Sequence, residues 1–284
     1  MKYIVAVSGG VDSVALLDML TRENKHELII AHFDHGIRKE SDADARFAWE
    51  LAKKYGLKFE VRREELGENT SEALARTRRY AFLRDIAKKY EATIVTAHHQ
   101  DDLIETIAIN LTRGTGWRGL AVFANSDIER PLLDKTKTQL YGYALHHNLE
   151  WIEDETNNSD TYLRNRLRRR IQKELQDETR NKVLRLWEQQ CHLRMAIKRE
   201  LDSLPSAIYN SRYFFTMVPE DTAMELLEHM THGVLTRPQI TRLLLAIKMA
   251  KPHTRYEPGG GLYVEFGMKD FSVISTMKPL SELI

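Results

Sequence analysis

From the start of the chain to about residue 115, short β-branched apolar runs alternate with longer stretches whose apolar residues recur at helical spacing. The runs are "KYIVAV" (2–7), "ELIIAHF" (27–33), "KFEVRRE" (58–64) and "ATIVTA" (92–97). Between them, "DSVALLDMLTRE" and "SDADARFAWELAKKYG" read as helices, the second with Ser41 and Asp44 spaced as a capping box and Gly56 at its stop. A longer helix is predicted from about Ser71 to Tyr90, and another from near Asp101 to just before Gly114. Strands separated by helices pair in parallel through right-handed crossovers, with both sheet faces covered. The predicted fold class is therefore α/β, a doubly wound, mainly parallel sheet. The run at 58–64 is the least apolar of the four and is expected near an edge.

In such sheets ligands gather beyond the carboxyl ends of the strands. Those ends read "SGGVDS", "HFDHGIR" and "TAHHQDD", the most polar and unusual stretches of the region, and they should converge on one edge. Beyond about residue 176 the pattern changes. "NKVLRLWEQQCHLRMAIKRELDSL" and "TRPQITRLLLAIKMA" are predicted helices, and "YEPGGGLYVEF" is a predicted hairpin around a glycine turn. The expected organisation is a catalytic domain over 1–175 and a smaller, mostly helical domain over 176–284.

Composition narrows the class further. The chain has 284 residues, 42% hydrophobic and 29% charged, and no apolar run approaches the ~20 residues of a membrane span. "MKYIVAVSGG" reads as a first strand rather than a signal peptide, so a cytoplasmic protein is expected. A single cysteine, Cys191, excludes a disulfide framework and cysteine-pair chemistry. The net charge is only +1, yet "RTRRY" and "RNRLRRR" concentrate positive charge as a nucleic-acid surface would. Solvated helix faces would carry the same runs.

"SGGVDS" has no lysine, unlike the GxxxxGK[ST] loop, and differs from the dinucleotide GxGxxG. Its physics is nonetheless that of an anion cradle. Glycines bring backbone N–H groups close to phosphate oxygens, the following helix presents its positive end, and Ser8 and Ser13 add hydroxyl donors. Asp12 is placed either to face a metal ion or to fix the loop. The hexapeptide resembles the SGGxDS loop of the N-type ATP pyrophosphatases, which cleave ATP between the α- and β-phosphates.

Within that superfamily, later motifs resemble the tRNA(Ile)-lysidine synthetases. They are "HFDHGIRKESDADA", "SEALARTRRYAFL", "TAHHQDDLIETIAINLTRGTGWRGL", "RPLL" and "EDETNNSDTYLRNRLR", in the family's order over most of residues 4–170. The resemblance implies the adenine nucleotide alpha hydrolase-like fold and a C-terminal tRNA-binding domain over 176–284. The chain looks too short for the second C-terminal domain of longer members. The activity implied is ligation of free L-lysine to C2 of the wobble cytidine of tRNA(Ile) with a CAU anticodon, with ATP as co-substrate, Mg²⁺ as cofactor and a homodimer as the common assembly. ATP is expected on Ser8, Gly9, Gly10, Val11, Asp12 and Ser13. Catalytic candidates are Asp34, His98, Asp102 and Glu105, with His98 expected on phosphate and a carboxylate taking the lysine ammonium. Candidates for tRNA contact are Arg76, Arg79, Arg113, Gly114, Arg164 and Arg168.

Other readings fit parts of the same pattern. His98, His99, Asp101, Asp102 and Glu105 also suit a transition-metal site by ligand type, and Asp101 suits a helix N-cap. Another PP-loop pyrophosphatase acting on tRNA would use the same glycine loop, as would a non-catalytic nucleotide-binding module.

Overall fold

A computed structural model describes residues 1–36, 41–67, 70–124, 127–153, 167–168, 170–171 and 175–276. Its elements begin with strand β1 (Lys2–Ala6), helix α1 (Val11–Glu23), β2 (Glu27–Asp34), α2 (Ser41–Tyr55), β3 (Lys58–Arg63) and α3 (Glu72–Tyr90). They continue with β4 (Thr93–Val95), α4 (Gln100–Thr112), β5 (Ile128–Glu129) and α5 (Lys137–His146). The five strands form one sheet in the order β3-β2-β1-β4-β5, and all four pairings are parallel. The strand at 58–64 occupies an edge, as its polarity predicts.

Two cores explain why the β1 run is apolar at consecutive positions. Tyr3, Val5 and Val7 pack with α1, α2 and α5 residues such as Leu16, Leu51 and Leu140. Ile4 points the other way, into a second cluster with Tyr80, Phe82, Leu83 and Ile86 of α3. Successive strand residues face opposite sides, so a strand covered on both needs an uninterrupted hydrophobic run. The helices stop where their sequences direct. Asn24 and Glu91 take left-handed conformations after α1 and α3, and Ser71 caps α3 by accepting the Leu74 N–H at 3.2 Å.

The α1, α2 and α5 layer is pinned by one buried carboxylate. Asp18 on α1 accepts hydrogen bonds from Arg22 Nε (2.6 Å), Tyr55 Oη of α2 (2.9 Å) and Tyr143 Oη of α5 (2.8 Å). A buried charge is tolerated only when partnered in this way.

The chain divides into two compact units, Met1–Cys191 and His192–Ile284. The division falls within a 27-residue helix, α6 (Asp177–Ser203). The second unit continues with α7 (Ser206–Tyr209), α8 (Arg212–Met217), α9 (Glu220–Met230) and α10 (Arg237–Met249). The sequence-predicted hairpin is present as β6 (Arg255–Gly259) and β7 (Leu262–Phe266), and a third antiparallel strand, β8 (Phe271–Ser275), extends it. Its core contains Phe215, Leu226, Leu243, Val264 and Phe271. Gly259, Gly260 and Gly261 all have positive φ (105°, 64° and 71°), which explains three consecutive glycines in the turn. No helix among the described residues is long and apolar enough to cross a membrane.

Replacing Asp18 by Asn should lower stability by roughly 2–3 kcal/mol, the scale of hydrogen bonds to a buried charge. Burial raises the pKa of Asp18, but the hydrogen bonds from Arg22, Tyr143 and Tyr55 outweigh it and hold the carboxyl below its ordinary value. A depressed folded-state pKa stabilises above the unfolded-state value near 3.9 and is lost as pH falls through the folded value. The melting-temperature gap between the wild type and Asp18→Asn should therefore be full at pH 7 and shrink below about pH 4. A gap independent of pH would show that the charge contributes nothing.

Candidate active site

Backbone geometry shapes the glycine loop before any side chain acts. Gly9 has φ +93°, and a Cβ there would meet Ile152 Cδ1 at 3.3 Å and Phe47 Cδ1 at 3.5 Å. Gly9 also accepts the Ile152 N–H at 2.9 Å, and its positive φ is what favours glycine at this position. Gly10 is the N-cap of α1. Ser13 Oγ donates to Gly10 O at 2.9 Å and accepts the Ser8 N–H at 3.2 Å, while the two seryl oxygens stand 3.3 Å apart. The loop thus curls over the start of α1, whose first amides have no intrahelical acceptor. Val11 and Ser13 are buried, whereas Ser8 is exposed and Asp12 half-buried at the rim. A glycine turn into a helix start, with two hydroxyls beside it, is the geometry that an anion cradle requires.

The start of α4 faces that rim. The helix begins at Gln100 with His99 as its N-cap: His99 Nδ1 accepts the Asp102 N–H (3.4 Å) and Asp102 Oδ2 accepts the His99 N–H (3.2 Å). With Nδ1 accepting, Nε2 carries the proton and faces Asp102 Oδ2 at 3.4 Å and Asp12 Oδ2 at 3.7 Å. Asp12 and Asp102, at the starts of α1 and α4, therefore meet across one imidazole. On the next turn Glu105, with its side chain 1% exposed, receives Arg168 Nε at 2.7 Å and Nη2 at 3.3 Å. Arg168 Nη2 also lies 3.7 Å from Asp102 Oδ1. Asp102, Glu105 and Arg168 form one charge group, drawn from positions more than sixty residues apart.

Two cations unmarked in the sequence complete it. Lys137, the first residue of α5, places Nζ 2.8 and 2.7 Å from the two carboxylate oxygens of Asp12. Its own N–H donates to Asp101 Oδ2 at 2.7 Å. The other Asp101 oxygen accepts Arg180 Nη1 at 2.7 Å, and the same nitrogen reaches Gln100 Oε1 at 3.1 Å. Asp101 is thus not the helix N-cap that its position suggests; His99 fills that role, leaving the Asp101 carboxylate to tie α4 to α5 and α6. Local spacing contains no sign of Lys137 or Arg180, because neither belongs to a periodic or glycine-rich pattern.

The remaining candidates separate into near and far. Asp34 ends β2, buried, with Oδ1 accepting the Gly36 N–H at 2.8 Å and Oδ2 lying 3.6 Å from Arg63. His32, two residues earlier, bonds Val7 O through Nδ1 at 2.8 Å, stitching the end of β2 to the strand that leads into the glycine loop. His98 turns from the cradle: Nδ1 lies 2.8 Å from Thr96 Oγ1 and the ring packs 4.8 Å from Phe123. Burial, partly opposed by Asp102 and reinforced by Arg76, Arg130 and Arg79, pushes the His98 pKa down to about 3. The imidazole is neutral at pH 7 and offers no charge to a phosphate. Arg76 and Arg79 flank it, stacked on Tyr80 at 4.9 and 5.4 Å.

Arg113 and Gly114 lie at the opposite end of α4 and are exposed. At 1.5 Å per residue they stand ~16 Å along the helix axis from Asp102, so they do not join the cluster. Arg164 lies outside the described residues. Among the described residues no group of three or more His, Cys, Asp or Glu is arranged to hold a metal ion. The transition-metal arrangement does not form, because His98 faces Thr96, Asp101 is engaged by Arg180, and Glu105 by Arg168.

Comparison with known proteins agrees with this geometry. Residues 1–175 match the PP-loop domain family model. A tRNA(Ile)-lysidine synthase from Exiguobacterium sibiricum is 45% identical over 175 residues, covering 59% of this chain and 42% of that protein. One from Thermotoga maritima is 33% identical over 284 residues, covering 92% of this chain and 67% of that protein. The chain thus spans less than half the length of the first and about two thirds of the second. In fold, a U34-tRNA thiolase from Methanococcus maripaludis superposes with a TM-score of 0.57 at 18% identity, over 68% of this chain and 72% of that one. The glycine cradle beneath a carboxylate-lined helix start and the family matches over the same residues lead to one conclusion: the chain belongs to the PP-loop family, among the tRNA(Ile)-lysidine synthases.

Proposed function

We propose that the protein ligates lysine to C2 of the wobble cytidine of tRNA(Ile) bearing a CAU anticodon, consuming ATP. The observation that supports this most is the meeting of Asp12, from the glycine loop, with His99 and Asp102, from the start of α4, beside the Glu105–Arg168 pair. A nucleotide-binding module alone needs the loop but has no use for those carboxylates.

In the first step the cytidine O2 attacks the α-phosphorus of ATP. The new O2–Pα bond forms as the bond from Pα to the bridging oxygen breaks, and pyrophosphate leaves with that electron pair. The glycine-loop amides, Ser8 and Ser13 stabilise the negative charge that gathers on the leaving group. A magnesium ion would take oxygen ligands from a carboxylate and the phosphates, a donor set that Asp12 fits, and would supply charge neutralisation there. In the second step the lysine amine attacks C2. A C–N bond forms, the C2–O bond breaks, and AMP departs with the oxygen and its electron pair.

Lysine arrives as an ammonium, since its ordinary pKa is ~10.4. Asp102 is the better placed carboxylate to bind it and take the proton, because its side chain is 14% exposed against 1% for Glu105. Glu105 acts through Arg168, holding the guanidinium toward the substrate. Asp34 supports the charge balance at the neighbouring tip. Neutral His98 shapes the wall that carries Arg76 and Arg79, and those arginines supply the salt-sensitive attraction that tRNA backbone requires. The fragment 176–284 contributes to tRNA binding.

Pyrophosphate release from ATP should require a tRNA(Ile) transcript with a CAU anticodon, and mass analysis of that RNA should gain one lysyl group only when lysine is present. Release that depends on neither RNA nor lysine would remove the reading. Asp102→Asn should raise the KM for lysine roughly tenfold or more while tRNA-dependent pyrophosphate release persists. Glu105→Gln should instead slow both steps by about a hundredfold, since Arg168 loses its anchor. Equal losses of both steps in the two variants would show that the carboxylates do not divide the work.

A further inference from the structure

We infer that Lys137 is a substrate-binding residue: its ammonium leaves Asp12 to grip the β- and γ-phosphates of ATP and the pyrophosphate they become. This rests on the proposed ATP-pyrophosphatase chemistry and adds a cation that the glycine loop itself lacks.

Three observations point the same way. The loop "SGGVDS" contains no lysine, yet Lys137 Nζ sits on its rim, within 2.8 Å of both oxygens of Asp12. The residue is anchored by its backbone and not by its side chain. Its N–H is held at 2.7 Å by Asp101, itself clamped by Arg180, and the capping box of Thr136 and Gln139 fixes the start of α5. A four-carbon stem on a fixed base can swing its ammonium by several ångströms without disturbing the helix. The side chain is also 39% exposed, and a purely structural bridge gains little at that exposure.

Charge decides the exchange. Asp12 offers the ammonium one negative charge, whereas a pyrophosphate group offers several on oxygens held by the adjacent loop. An ammonium beside a carboxylate at rest is thus stored close to where charge will develop, which limits reorganisation during the reaction. When the bond from Pα to the bridging oxygen breaks, the electron pair stays on that oxygen, and Lys137 faces the departing group and not the cytidine.

Inorganic pyrophosphate and AMP, titrated calorimetrically into the full-length protein, test this. Lys137→Met should weaken pyrophosphate binding roughly ten- to hundredfold, the scale of a lost charged hydrogen bond, and leave AMP binding within about twofold. Equal weakening of both ligands, or no weakening of pyrophosphate binding, would overturn the assignment. Should the variant fold poorly, amine acetylation of the wild-type protein read by mass spectrometry serves instead. Pyrophosphate should protect Lys137 at least about fivefold, and AMP should not; unchanged labelling counts against the inference. Wild-type protein that binds neither ATP nor pyrophosphate removes the ATP chemistry and Lys137 with it, whereas normal pyrophosphate binding by Lys137→Met removes only Lys137.

Discussion

Strand β1 is hydrogen-bonded in parallel on both edges, to β2 from Lys2 to Ala6 and to β4 from Tyr3 to Val5. The chain winds outward from β1 to β2 and β3, then crosses back to place β4 and β5 on the other side. At that reversal the connections from β1 and β4 diverge, and the loops that follow them leave a crevice between. The glycine loop follows β1, and the His98–Asp102 stretch follows β4. A sheet with its strands in sequential order would have placed β2 and β3 between the two. The positions of Asp12, His99 and Asp102 therefore depend on a backbone pairing that contains no functional residue at all.

Charge in the crevice is balanced by long-range pairing. Asp12 meets Lys137, Asp101 meets Arg180, and Glu105 meets Arg168. Each carboxylate lies on α1 or α4, and each cation arrives from a later element. A cluster of acidic groups at the starts of two helices is favoured by the helix ends yet repelled by its own members. The later cations relieve that repulsion, and their exposure grades with their proposed work. The Arg180 side chain is 14% exposed and ties elements together, Arg168 is 27% exposed, and Lys137 is 39% exposed. Rigid pairs position and looser pairs exchange, a division consistent with a site that must hold its shape while anions enter and leave.

Helix α1 also carries a carboxylate used for structure alone. Asp18 satisfies its charge with two tyrosyl hydroxyls and one arginine, joining three helices behind the glycine loop. The contrast with Asp12, six residues earlier on the same helix, lies in surroundings and not in residue type. Asp18 is buried among side chains that can only donate to it, whereas Asp12 is half-exposed at the loop rim.

What local sequence determined is the part of the protein governed by near-neighbour physics. Uninterrupted apolar runs, separated by amphipathic stretches, specify parallel strands, and the β-branched run before "SGGVDS" specifies that the loop leaves a buried strand. The glycine loop, Asp102, Glu105 and Arg168 were all legible there, because the motifs that contain them are contiguous. Tertiary structure alone decided the N-cap of α4, the partners of Asp101, and the presence of Lys137 and Arg180. It also turned His98 toward Phe123. The contacts of Asp101, Lys137 and Arg180 join residues 36 to 125 positions apart. Spacing along a chain encodes which face of an element a residue occupies, but which distant side chain arrives at that face is set only when the elements pack.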